Sequence, residues 1–121
     1  MLNLNSIMVG SMQPQALSKF YEEVLGKKPD MTEGNWSGWS VGSSYFSVGE
    51  HSEMIGKTKD AGRIMFNFET IEVEEEFERI SKIDGASVVK EPYQMGDEGM
   101  WVATLADLDG NYFQLMSPWT K

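Results

Sequence analysis

"DLDGNYFQL", residues 107–115, is the stretch that opens the plan of the chain. Asp109-Gly110-Asn111 reads as a tight turn that feeds an alternating strand with one amide, Gln114, between Phe113 and Leu115. A turn over 108–110 pairs Ala106 with Tyr112 and Thr104 with Gln114. Directly opposed residues share a face, so Thr104, Tyr112 and Gln114 stand on one side of the hairpin and Phe113 and Leu115 on the other.

The strand has an echo. "YFQL" at 112–115 matches "YFSV" at 45–48, an offset of 67, and "RIMF" at 63–66 matches "SIMV" at 6–9, an offset of 57. The offset of 57 also carries Phe20 onto Phe77, each inside a helical pattern: Leu17, Phe20, Val24 and Leu25 in one, Val73, Phe77 and Ile80 in the other. Pro14 suits a first helical turn, and Gly26 and Asp84-Gly85 are stop signals. Each half therefore reads as strand, helix and three strands. The strands are expected at about 2–10, 28–32, 35–41 and 44–49, then at about 63–69, 86–91, 99–106 and 111–117. The ten extra residues of the second half (67 − 57) are expected in "EPYQMGDEGM", 91–100, as a Pro/Gly-rich loop. A repeat this short buries little alone, so one domain over 1–121 is expected, with module one at 1–50, a linker at 51–62 and module two at 63–121.

Strand parity separates the faces. Ile7 and Val9 share a side and leave Ser6 and Met8 on the other; Ile64, Phe66 and Phe68 share a side and leave Arg63, Met65 and Asn67. Gly42-Ser43 suits a two-residue type II′ turn that opposes Ser40 to Tyr45, Gly38 to Ser47 and Trp36 to Gly49. Phe46 and Val48 then match Phe113 and Leu115 as core under the helices, and Trp39 is core as well. The opposite face carries Ser6, Met8, Trp36, Ser40, Tyr45 and Ser47 in the first half. In the second half it carries Arg63, Met65, Asn67, Val102, Thr104, Tyr112, Gln114 and Met116. Aromatic and Met walls with a few polar groups are the composition of a concave ligand surface. Trp101 falls on the helix side by strict count; a bulge beside the 91–100 loop would turn it to the other face, and it is kept among the candidates.

Composition narrows the partners. The 121 residues carry 19 acidic and 10 basic side chains, a net charge of −9, which repels nucleic acid and anionic membrane surfaces. There is no cysteine, hence no disulfide and no thiolate chemistry, and a cytoplasmic home is expected. No apolar run reaches a membrane span, and "MLNLNSIMV" lacks the features of a signal peptide. His51 lies beside Glu50 and near Glu53 on the linker, where a solvated histidine is the plainer reading than a metal ligand; "EVEEEFER" reads as the wet face of the second helix.

The repeated strand-helix-three-strand plan, "ALSKFYEEVLGKKP" at 16–29 and "ATLADLDGNYFQLMSPW" at 103–119 resemble the vicinal oxygen chelate superfamily, which includes glyoxalase I, bleomycin-resistance proteins and extradiol dioxygenases. The resemblance implies an α+β fold: two βαβββ modules forming a cup-shaped mixed β-sheet with helices on the outside, in a homodimer. Metal-dependent relatives carry one ligand, usually His or Glu, on the first and last strand of each module. Here those positions are Ser6, Ser47, Arg63 and Gln114. Two hydroxyls and an amide supply no anionic charge, and a guanidinium repels a cation, so no metal and no cofactor is expected.

The resemblance and the donor set together imply a metal-independent protein that binds a planar or aromatic small molecule, with Arg63 and Gln114 orienting it. Gln114 has a second reading, an amide hydrogen-bonded across the sheet to Thr104 or Arg63 with no ligand, and Arg63 one as the partner of a nearby Glu. The alternative function is a glyoxalase-like lyase, isomerase or dioxygenase, using an altered metal site or Arg63, Tyr45 or Tyr112 without metal. A third reading is a scaffold for protein contacts. No catalytic residue is assigned.

Overall fold

A computed structural model of the chain describes residues 1–50, 55–96 and 99–118. Two compact units divide at Gly56, Met1–Gly56 and Lys57–Lys121. Each is a βαβββ module with a four-stranded mixed sheet.

The first unit runs β1 (Ser6–Ser11), α1 (Pro14–Leu25), β2 (Met31–Glu33), β3 (Trp36–Val41) and β4 (Ser44–Glu50). Its strand order is β1-β4-β3-β2, with β1 parallel to β4 and the other neighbours antiparallel. Pro14 opens α1, where a missing N–H costs nothing, and Gly26 ends it in a left-handed cap. Leu17, Phe20, Tyr21 and Val24 form the buried stripe of the helix. Tyr21 meets the edge of Phe46 at 4.8 Å, and Phe46 meets Trp39 at 6.1 Å, so the apolar side of the sheet and the helix close one core. Trp39 is fully buried and its indole N–H donates to the Lys27 carbonyl at 3.0 Å. Each such side chain contributes about 1.5–3 kcal/mol by leaving water.

The second unit runs β5 (Phe66–Glu69), α2 (Val73–Ser81), β6 (Ser87–Met95), β7 (Met100–Ala106) and β8 (Tyr112–Met116), in the order β5-β8-β7-β6. Val73, Phe77 and Ile80 are the buried face of α2, and Glu74, Glu75 and Glu76 sit favourably in its first turn against the helix dipole. Leu105, Phe113 and Leu115 are buried in the same unit, and Phe68 packs against Phe113 at 5.9 Å.

Both hairpins take the expected register: Ser40 opposes Tyr45 and Gly38 opposes Ser47, while Ala106 opposes Tyr112 and Thr104 opposes Gln114. Gly42 has φ 58°, as the first central residue of a type II′ turn requires. In the second hairpin the buried Asp107 carboxylate ties the turn: Oδ1 accepts the backbone N–H of Asp109 at 2.9 Å and of Asn111 at 3.0 Å.

Three expectations are corrected. β1 begins at Ser6, not at residue 2: Ser6 opposes Tyr45 and β4 starts at Ser44, so residues 2–4 have no residue of β4 to pair with. β5 begins at Phe66, not at residue 63: its partner β8 starts at Tyr112 after a turn, so residues 63 and 64 have no residue of β8 to pair with. β6 does not stop at 91 but continues through Pro92 to Met95, where a loop was expected. An edge strand tolerates a proline, and β6 adapts with register shifts between Val88 and Lys90 and between Lys90 and Tyr93. Thr58 is tied to the second hairpin: its N–H donates to the Asp109 carbonyl at 2.8 Å and its hydroxyl to Asn111 Oδ1. His51 and Glu53 lie outside the described residues.

Candidate functional site

The face of the first sheet away from α1 is floored by glycine and walled by aromatic rings. Tyr45 lies over Gly38: a methyl built on Gly38 would come within 2.7 Å of the Tyr45 ring and closer still to its hydroxyl. Gly49 is covered in the same way by Trp36 and Met8, each at 2.9 Å from a methyl built there. The absent side chains let both rings lie against the sheet, stacked with centroids 6.2 Å apart and planes 23° apart. Ser47 is buried beneath this layer and Ser6 is exposed at its margin on β1. The Tyr45 hydroxyl is buried with no hydrogen-bond partner among the described residues. Glu33 opposes Trp36 on β2 and brings a carboxylate beside the rings.

The corresponding face of the second sheet is polar. Gln114, half-buried on β8, donates through Nε2 to the Thr104 hydroxyl on β7 at 3.0 Å. Asn67 on β5 opposes Gln114 from the other side. Tyr112 opposes Ala106 one row away, and Met116 opposes Val102. Lys90 on β6 opposes Thr104, with its ammonium 5.3 Å from the centre of the Tyr93 ring. Lys90 and Tyr93 were not among the expected residues, because the two register shifts in β6 defeat an alternating count.

Arg63 does not take the expected place on a strand. It lies in the turn before β5 with a side chain 76% exposed, and pairs with Asp60 at 3.6 Å. Met65 is likewise outside β5 and exposed. The cause is the repeat offset. Ser47 and Gln114 are equivalent (114 − 47 = 67), and their parallel-strand partners are Met8 and Asn67, so the first strands are offset by 59 (67 − 8), not 57. Trp101 keeps parity with Ala103 and Leu105 on the helix side, since β7 runs regularly against β8 and the bulges fall in β6. Its backbone is tied to Ser117, whose hydroxyl accepts the Trp101 N–H at 3.0 Å.

A cleft of about 420 Å³ opens elsewhere in the first unit, between the start of α1, Asn35 and Glu50. Its polar groups satisfy one another, Gln15 donating to Asn35 and Asn35 to Glu50, each at 3.3 Å, and it has no aromatic wall. The open faces of the sheets are the better candidates.

A model of the glyoxalase-like domain matches residues 6–116, which spans every strand and helix of the two units. The chain belongs to the glyoxalase-like domain family. No curated protein matches the sequence. Among solved structures, a glyoxalase-related enzyme from Fulvimarina pelagi is similar with TM-score 0.79 at 16% identity, over 98% of this chain and 89% of that one. A glyoxalase/bleomycin resistance protein/dioxygenase family enzyme from Burkholderia phytofirmans PsJN gives 0.74 at 20% identity, over 96% and 98%. TioX from Micromonospora sp. ML1 gives 0.70 at 15% identity, over 96% and 98%. Identities this low speak for the fold alone.

The residues do not suit the divalent ion that metal-dependent members of the superfamily hold. Ser47 and Gln114 are neutral donors, Ser6 is an exposed hydroxyl, and Arg63 is a cation in a separate turn. Among the described residues, no three His, Cys, Asp or Glu side chains converge. An ion at any of these positions would exchange its water for too little charge to compensate. Among the described residues, no helix is long and apolar enough to cross a membrane.

Proposed function

We propose that this glyoxalase-like protein is a cytoplasmic, metal-independent binder of a planar or aromatic small molecule, of the bleomycin-resistance type. The observation that carries the reading is the Trp36–Tyr45 stack laid against Gly38 and Gly49. A pair of rings held against a sheet exposes a π-face at little further ordering cost, which suits a flat ligand. Met8 borders the platform with an adaptable side chain. Arg63, exposed and paired with Asp60, has no part. Without a resident ion, the chemistry of such a site is stacking, hydrogen bonding and exclusion of water.

The test is a fluorescence screen of the whole protein against planar antibiotics and aromatic metabolites, followed by calorimetry of each hit on Trp36→Ala and Tyr45→Ala. Loss of one stacking ring should weaken binding about tenfold. A hit that binds both variants with wild-type affinity overturns the platform as the site. A compound that is converted rather than held assigns the protein to the lyases, isomerases or dioxygenases.

A further inference from the structure

We infer that the open face of the second sheet holds a small planar carboxylate, gripped by Lys90 and the Thr104 hydroxyl. The inference stands on the second unit and is independent of the aromatic platform.

Four polar side chains lie in one row across all four strands. Asn67 opposes Gln114, Gln114 opposes Thr104, and Thr104 opposes Lys90, so the row shares one face. The equivalent row of the first sheet reads Met8, Ser47, Gly38 and Met31. The same ladder position in the same fold is thus built without an amide or a charge. The polar row is not a demand of the sheet.

Hydrogen-bond direction shows where the row is incomplete. The Thr104 oxygen accepts from Gln114 Nε2, and among the described residues its own O–H has no acceptor. A hydroxyl donor left unused on a largely buried residue such as Thr104 is costly. On the far side of Thr104 from Gln114 comes Lys90, whose ammonium rests near the Tyr93 ring and makes no ion pair among the described residues. An acceptor seated between them would take the Thr104 O–H and a charge-assisted bond from Lys90 together. A carboxylate supplies two such oxygens. Val102 and Tyr93 oppose each other in the next row and offer an apolar and aromatic border to a flat body. Glu69, the acidic residue of this face on β5, is three strands away, about 14 Å at the usual spacing, so it orients the acid toward Lys90 without neutralising that end.

Benzoate is the probe, with benzamide as its uncharged isostere, titrated into the isotope-labelled full chain by amide NMR. Saturable benzoate binding is expected, with the shifts centred on β6 and β7 and weaker at high salt. Benzamide should bind at least about tenfold more weakly, as should benzoate to Lys90→Met and to the isosteric Thr104→Val. Lys82→Met, at the exposed end of α2, should leave it unchanged. Lys90 is exposed, so its variant folds and remains a valid test if Thr104→Val does not. No saturable benzoate binding to the wild type overturns the inference, as does equal binding of benzamide or wild-type affinity in Lys90→Met.

Discussion

The Tyr45 ring occupies the space where a side chain on Gly38 would stand, 2.7 Å from a methyl built there. Gly38→Ala must therefore lift the ring from the sheet and part it from Trp36. Alanine leaves the unfolded chain less freedom than glycine does, a gain of about 0.4–1 kcal/mol. Losing the ring pair costs about 0.5–1.5 kcal/mol. The two nearly cancel, so the melting temperature should barely move while the near-ultraviolet circular dichroism of the stacked pair collapses. Unchanged dichroism would show that the ring is not held there.

Asp107 should matter far more to stability than its place in a loop suggests. Its side chain is buried and serves the N–H groups of Asp109 and Asn111 as well as the Asn111 amide. Asp107→Ala leaves these donors without their acceptor, a loss of about 2–4 kcal/mol in urea unfolding. Asp107→Asn, which keeps one oxygen, should recover part of it. A loss below about 0.5 kcal/mol for the alanine variant, the scale of ordinary surface changes, would refute this role.

The hairpins were legible in sequence and the parallel pairs were not, for one physical reason. A tight turn such as Gly42-Ser43 or 108–110 fixes which residues oppose, so Tyr45, Ser47, Thr104 and Gln114 fell on their faces by counting. β1 and β5 reach their partners through a helix, and no turn sets their register. The identities Ile7/Ile64 and Met8/Met65 suggested an offset two residues from the one that the ladders adopt, and so put Arg63 on a strand. Lys90 was hidden by bulges, which break alternation without a sequence mark of their own.

Asp30 gives the chain an acid-side sensitivity. The Ser40 N–H donating to its carboxylate at 2.7 Å, and Lys27 at 3.1 Å, hold its carboxyl below the usual value. A group depressed on folding stabilises the protein above its unfolded pKa, about 3.9, and the contribution is lost as pH falls through the lower folded value. Asp30→Asn should melt slightly below the wild type at neutral pH, and the difference should vanish in strong acid. A difference that grows on acidification would reverse the assignment.

A homodimer is the expected assembly. β1 stands at an edge of its sheet, uncharged, without proline or bulge, and with Ile7 and Met8 exposed. The edge strand β6 of the second sheet, by contrast, carries Lys90, Glu91, Pro92 and two register shifts, the features that discourage pairing. An unprotected edge strand of this kind is a surface that a second chain can cover. Light scattering should give twice the chain mass of 13.6 kDa. A mass that stays at the monomer value at every working concentration would refute it.

The purified protein should carry no stoichiometric transition metal. The positions at issue offer two serine hydroxyls, one amide already donating to Thr104, and an arginine paired with Asp60. None provides an imidazole nitrogen or a carboxylate oxygen, and binding would require an ion to give up hydration for neutral ligands alone. Plasma emission after purification without chelators is the measurement, and added zinc, nickel or manganese should leave the melting temperature unchanged, since an ion with no folded site has nothing to stabilise. One equivalent of any of these metals per chain, or a rise in melting temperature on adding one, would show that the fold recruits its ligands from positions other than these four.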